Sequence, residues 1–271
     1  MALTEFQRTV CRLIARQRIE SGVSYVAGGV ALNTLTGSPR VSRDIDIFHD
    51  ARESVAASWM ADRNTLEHSG CAVRALRERE TFVEASVSKA GNSVVLQWTL
   101  DSAFRFFPLI EHDDFGLALH PFDLATNKVL ALVGRLEARD WVDTIQCHGK
   151  IQRLGYLAWA ASGKDPGFSP AAILEQAGRS ARYSTAEIGA LSFSGTPPDA
   201  AALSQTWHAM LEEARGIIAA LPPAETGKCV LDSQNNLFAG GLLELLPSMD
   251  SSSLRFHEGS LRGALPRVRE D

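Results

Sequence analysis

Ala27-Gly28-Gly29-Val30-Ala31-Leu32, followed by Arg40-Val41-Ser42-Arg43-Asp44-Ile45-Asp46-Ile47-Phe48, is the stretch around which the chain is organised. Successive side chains on a strand point to opposite faces, so Asp44 and Asp46 share one face while Ile45 and Ile47 turn into a core. Two carboxylates side by side on a rigid strand repel unless a cation lies between them. Hard oxygen ligands of this kind suit Mg²⁺, which is held by one or two carboxylates together with substrate phosphates. A solvated polar strand face is the plainer alternative, but it leaves the glycine pair and the neighbouring arginines unexplained. Gly28-Gly29 lies between an apolar run and a helical pattern. Glycine there lets backbone approach a ligand closely, and a helix N-terminus favours phosphate. Ser42 lies two residues before Asp44, on the same face if the strand starts early enough.

Outward from this stretch, residues 4–19 carry apolar side chains at helical spacing, with Thr4 as a candidate cap. Residues 23–27 predict a buried strand, 30–35 a helix, and 54–67 another helix closed by Gly70. The period then changes. Residues 72–76, 82–87 and 94–100 are β-type runs, and Ala90-Gly91-Asn92-Ser93 between the last two signals a hairpin. Residues 104–110 and 115–119 are expected to continue the sheet. From Pro121 the pattern is helical, over 122–133, 138–160, 170–182 and 200–221. The expectation is an α+β protein: a mixed-sheet core over residues 1–120, followed by a mainly helical domain over 121–271 that closes a cleft.

The 271 residues are 45% apolar and 22% charged, ordinary for a globular chain. No apolar run is long enough to span a bilayer, and the first residues show no basic-then-apolar leader. Cys11, Cys71, Cys147 and Cys229 are scattered without metal-ligand spacing, so free thiols in a reducing cytoplasm are expected. The net charge of −5 excludes a basic coat but not a local basic groove.

Gly-Gly, a helix, and Asp-x-Asp on the next strand resemble the signature of the polymerase-β-type nucleotidyltransferase superfamily. The wider spelling is similar to the AbiEii/AbiGii branch, whose members are mostly toxins of bacterial toxin–antitoxin systems. A second segment strengthens the resemblance: Asp123-Leu124-Ala125-Thr126-Asn127-Lys128-Val129-Leu130-Ala131-Leu132, then Arg139-Asp140-Trp141-Val142-Asp143. The resemblance implies that Asp44 and Asp46 hold two Mg²⁺ ions against the triphosphate of an NTP. Gly28, Gly29 and Ser42 would line the phosphates, Lys128 would offset their charge, and Asp143 would complete the site. It implies transfer of a nucleoside monophosphate to an acceptor hydroxyl with loss of pyrophosphate. The acceptor would be RNA, the 3′ end of tRNA first, with an antitoxin protein as a further partner and the cytoplasm as location.

Other readings stay open. Lys128 could snorkel to solvent, and Arg139–Asp143 could be an ordinary helix pair. Many superfamily members carry a third acid on a later strand, where this sequence has Gln97; Asp101 has the right parity but lies roughly 13 Å further along an extended strand. Arg40, Arg43, Arg74, Arg77 and Arg79 are candidates for an RNA groove, although Glu78 and Glu80 dilute the last three. A small cationic acceptor such as an aminoglycoside would use Glu111, Asp113 and Asp114. A nucleotide-binding protein without turnover is the remaining reading.

Overall fold

The computed structural model describes residues 3–179, 182–250 and 253–266; Ser251 and Ser252 of the polar run 250–253 lie outside them. In chain order the elements of the first part are α1 (Glu5–Ser21), β1 (Ser24–Ala27), α2 (Gly28–Thr36), β2 (Asp44–His49), α3 (Arg52–His68), β3 (Ala72–Arg79), β4 (Phe82–Lys89), β5 (Asn92–Leu100), β6 (Phe104–Arg105), β7 (Ile110–His112) and β8 (Gly116–Ala118). Then come α4 (Pro121–Arg135), α5 (Ala138–Lys150), α6 (Leu154–Ala161), α7 (Pro170–Gly178), α8 (Thr185–Gly189), α9 (Ala200–Ala220), β9 (Cys229–Leu231), α10 (Leu242–Asp250), β10 (Arg255–His257) and β11 (Ser260–Leu261). The protein is α+β, and its contacts divide it into two compact units.

The first unit takes residues 1–103, 108–120 and 192–195. Its sheet has seven strands in the order β3-β4-β5-β2-β1-β8-β7. It is mixed: β2 runs parallel to β5 and β1 parallel to β8, while the other pairs are antiparallel. Thr4 caps α1 in a reciprocal box with Gln7, as the sequence suggests. The β4–β5 hairpin closes on Ala90 and Gly91, both at positive φ, with Lys89 facing Asn92. Strict alternation decides which sheet face is dry. Ile45, Ile47, Leu96, Trp98, Ala85 and Val87 are fully buried on one face. There Trp98 Nε1 donates to Asp62 on α3, which also takes Arg18 of α1 at 2.9 Å, so two helices and a strand share one buried carboxylate. The other face carries Asp44, Asp46, Gln97 and Glu84, all partly exposed.

The second unit comprises residues 104–107, 121–191 and 196–271. Its core gathers Tyr156, Trp159, Ile217, Leu221, Val230 and Leu245. The single helix expected over 138–160 is two helices. Between them Gln152 leaves the helical path and donates its buried amide to the carbonyls of Val230 and Phe238, at 2.9 and 3.0 Å. The sheet run expected over 104–110 also divides. β6 pairs with β11 in the second unit, and the Phe106 and Phe107 amides donate to the Asp123 carboxylate at 2.8 and 3.0 Å. Residues 192–195 return to the first unit, where Phe193 bridges Arg40 and Ser192 O accepts from the Val41 amide. Both exchanges rest on backbone hydrogen bonds between residues distant in sequence, which periodicity does not encode. All four cysteines are buried free thiols, and no helix among the described residues is long and apolar enough to cross a membrane.

Candidate active site

The acidic strand is built as its alternation requires. β2 shows intermediate exposure at Asp44, Asp46 and Phe48 and burial at Ile45, Ile47 and His49. It lies between β1 and β5, so its backbone is held on both sides and the carboxylates project from a rigid centre. Asp46 pairs across to Ala27, the residue just before α2.

Gly28 opens α2 at φ +63°, and a β-carbon there would overlap Asp46 Oδ2 and lie 2.7 Å from its Cγ. The Asp46 carboxylate therefore packs directly against glycine backbone. Gly29 is equally constrained. A β-carbon on it would overlap Ser42 Oγ and lie 2.7 Å from Arg40 Nη2. Ala27, the N-cap, gives no side-chain cap to the helix. The start of α2 thus combines a helix N-terminus, a hydroxyl and a guanidinium in one place, the donor set that recognises phosphate. Ser42 is not on the strand, because β2 begins only at Asp44; it sits in the preceding loop, where Gln7 Nε2 donates to its carbonyl at 2.8 Å. Arg40, a candidate for an RNA groove in the sequence, is at 4% exposure a buried neighbour of Gly29.

Among the described residues no group of three or more His, Cys, Asp or Glu side chains could hold a metal. Asp44 and Asp46 are the donors the strand offers, and a pair of carboxylates fits Mg²⁺, which completes its shell with water and substrate phosphate oxygens. The position expected for a third acid is neutral. Gln97 stands opposite Asp46 in the parallel β2–β5 pairing and donates Nε2 to Glu84 Oε1 on β4 at 3.0 Å. Asp101 follows the end of β5, where its amide donates to His49 O, and the register is unbroken from Val95 to Leu100. No bend in β5 carries Asp101 back toward Asp46.

In the second unit, Lys128 is buried rather than snorkelling. Its Nζ lies 2.9 Å from Asp140 Oδ1 and 3.2 Å from Asp143 Oδ2. Leu136, at φ +53°, separates α4 from α5, so Lys128 and the two aspartates stand on different helices that meet; the break falls after Gly134, which remains helical. Arg135 Nη2 also reaches Asp140, at 2.9 Å. Burial alone would raise the Asp140 carboxyl, but the Arg135 hydrogen bonds and the Lys128 charge outweigh it and hold the group below its usual range. Asp143 is fully buried with its carboxylate on Lys128. Arg139 pairs with Glu137 at 2.6 Å, so the suggested Arg139–Asp143 helix pair is replaced by Lys128–Asp143. Sequence reasoning assigned nothing to Asp140, although it is the acid that holds Lys128 and Arg135 together; its spacing from Arg135 across a helix break hid the link. Asp123 and Lys164 form a further buried pair at 2.8 Å, with Lys164 also on Asn127 Oδ1.

Of the three acids suggested for a cationic acceptor, Asp114 is committed elsewhere, while Glu111 and Asp113 are exposed. Asp114 takes Arg12 at 2.6 Å and Arg8 at 3.5 Å, both from α1.

Comparison with known proteins agrees with this architecture. The family model described as "Nucleotidyl transferase AbiEii toxin, Type IV TA system" matches residues 23–214. JHP933 from Helicobacter pylori is similar in structure, with a TM-score of 0.54 at 14% identity over 80% of this chain and 95% of that one. MenT4, a nucleotidyltransferase toxin from Mycobacterium tuberculosis H37Rv, is similar with a TM-score of 0.51 at 13% identity over 81% of this chain and 85% of that one. At such identities the likeness speaks for the fold. No curated protein matches the sequence significantly. The family match covers both the Gly28-Gly29/Asp44-Asp46 segment and the Lys128/Asp140/Asp143 cluster, and the chain belongs to the AbiEii nucleotidyltransferase toxin family of type IV toxin–antitoxin systems.

Proposed function

We propose that this toxin-family nucleotidyltransferase moves a nucleoside monophosphate from an NTP to a hydroxyl of RNA, the tRNA 3′ end foremost, and releases pyrophosphate. The observation that carries the reading is the Asp44-x-Asp46 strand face, with the Asp46 carboxylate packed against the glycine-opened start of α2. Gly28, Gly29, Ser42 and Arg40 receive the phosphates. Asp44 and Asp46 hold Mg²⁺, two ions in the family's pattern, which when bound would offset phosphate charge at the reacting centre. Phosphoryl-type transfer depends on such positioning and charge neutralisation more than on covalent catalysis. The acceptor oxygen bonds to the α-phosphorus as the bond to the pyrophosphate oxygen breaks, and the proton of the acceptor hydroxyl leaves to solvent. Lys128 is assigned to the triphosphate's charge, with Asp140 and Asp143 fixing its ammonium. Asp143 then acts as a positioning residue through Lys128. An antitoxin protein is the proposed partner, and the cytoplasm, where NTPs and tRNA are found, the proposed location.

Each of the four α-labelled NTPs, incubated with Mg²⁺ and either total tRNA or an aminoglycoside panel, tests this reading. Label on tRNA that disappears in Asp44→Asn supports it. Label on aminoglycosides alone, or on no acceptor at all, contradicts it.

A further inference from the structure

The polar face of the first unit's sheet is ordered beyond the acidic strand. β2, β5, β4 and β3 are neighbours in that order, and their pairings align in three rows. Asp44 faces Val95, which faces Ser86, which faces Arg74. Asp46, Gln97, Glu84 and Arg77 form the second row; Phe48, Thr99, Phe82 and Arg79 form the third. Directly paired residues place their side chains on one face. Three arginines on the edge strand therefore share the face of the two aspartates, roughly 14 Å away at three strand spacings.

A regular strand would not do this. Arg74 and Arg77 are three apart and would point to opposite faces. The register shift between Ala75 and Arg77 inserts Leu76 as an extra residue and returns Arg77 and Arg79 to the side of Arg74. The same shift disposes of the acids that dilute the run in sequence. Glu78 pairs with Val83, a residue of the buried face, so it points away from the arginines. Glu80, in the β3–β4 turn, pairs with Arg52 at 3.2 Å. Glu84 gives one oxygen to Gln97, while the Arg77 guanidinium lies 5.9 Å over the Phe82 ring. All three arginines are exposed.

We propose that this bulge-aligned arginine row is the docking track for the acceptor: a single-stranded 3′ segment of RNA lies across the polar sheet face, its phosphates on Arg74, Arg77 and Arg79 and its terminal hydroxyl at Asp44 and Asp46. The inference rests on the RNA-acceptor reading above. Guanidinium groups match phosphate in charge and shape, and phosphate contacts supply most of the affinity for a nucleic-acid strand. Phe82, with Arg77 over it, gives a base a flat surface on which to stack. Ser86, Gln97 and Thr99 add hydrogen-bonding groups to the intervening positions, beside Val95, Phe82 and the Gln97-bonded Glu84. They offer no buried apolar anchor of the kind that carries protein–protein affinity.

The test is binding of a short fluorescent single-stranded RNA to the full chain, measured across a salt series. The exposed triple variant R74S/R77S/R79S should keep the wild-type urea midpoint. It should lose at least about tenfold in RNA affinity, and its log affinity–log salt slope should flatten by about 2, close to three single-strand phosphate contacts. KM for RNA should rise with KM for NTP unchanged, and the matching triple lysine variant should recover the salt slope. A triple serine variant that binds RNA as the wild type does would overturn the track alone. Wild-type protein that binds no RNA would overturn both the track and the acceptor reading. A variant that keeps RNA affinity but loses affinity for an acidic peptide would assign the row to a protein partner and overturn the proposal.

Discussion

Gly28 and Asp46 are in contact so close that any side chain at residue 28 would occupy the position of the Asp46 carboxylate. The helix proposed to receive phosphate and the strand that carries the acids are thereby locked to one another. Backbone at φ +63° adds a second reason for glycine at that place.

Gly28→Ala should therefore damage both stability and activity. The left-handed backbone alone costs an alanine about 1–2 kcal/mol. Displacement of Asp46 should further reduce transfer by at least about tenfold. A urea titration read beside the transfer rate checks this; Gly37→Ala, at φ +65° with open space around it, serves as the control that bears the backbone cost without the clash.

The Lys128 cluster should be costly to break. Removing one partner of a buried ion pair leaves an uncompensated charge, at about 3–5 kcal/mol. Asp140→Ala leaves Lys128 with Asp143 alone and takes from the partly exposed Arg135 its nearest carboxylate, so it should lower the unfolding free energy by no more than the lower end of that range. Because the folded Asp140 carboxyl is held below its ordinary value of 3.8, its contribution is present above that pH and fades as pH falls through the depressed folded value. Wild type and Asp140→Ala should accordingly converge in stability only in strong acid.

His49 gives the chain a second acid sensitivity. Burial pushes its imidazole down from 6.5 to about 4, with the Arg18 charge acting in the same direction and hydrogen bonds to backbone carbonyls opposing. A group whose folded value is depressed contributes stability above its unfolded value and loses it as pH falls toward the folded one. Between pH 6.5 and about 4 the neutral ring should thus cost the fold on the order of 3 kcal/mol. The difference in unfolding free energy between wild type and His49→Gln, followed over that window, should change with this sign.

Gln97 stands where a third acid would, opposite Asp46. Gln97→Asp should lower the Mg²⁺ concentration that gives half-maximal transfer, since a third oxygen ligand would then adjoin the pair. An unchanged Mg²⁺ dependence would show that the position lies outside the metal's reach.

Much of this molecule was legible in the sequence because its signals are local. Asp44-Ile45-Asp46-Ile47 encodes its own faces by period 2, and Thr4 with Gln7 encodes the start of α1. The Ala90-Gly91 turn encodes the β4–β5 register. What stayed hidden depends on partners far along the chain. Gln152 breaks a helix only because the Val230 and Phe238 carbonyls await it, and Phe104–Arg105 leaves the large sheet because Ser260–Leu261 pairs with it. Within the candidate site, the carboxylate pair and the glycines were readable. The burial of Arg40 at Gly29 and the hold of Asp140 on Lys128 were not, since each needs a contact between separate elements. For the arginine row the composition is plain in the sequence, but its facing is not, because a single extra residue at Leu76 decides it.

Asp44 and Asp46 are proposed as the metal-holding half of a nucleotidyl-transfer site acting on RNA. The most direct test follows α-labelled NTP into tRNA, with and without Mg²⁺, for wild type and for Asp46→Asn, after both are shown to unfold at the same urea concentration. The wild type should place Mg²⁺-dependent label at the tRNA 3′ end, restored after chelation by added Mg²⁺, and Asp46→Asn should show a fall of at least about a thousandfold. Label incorporated by Asp46→Asn at the wild-type rate, or by the wild type in full without a divalent cation, would contradict the proposal.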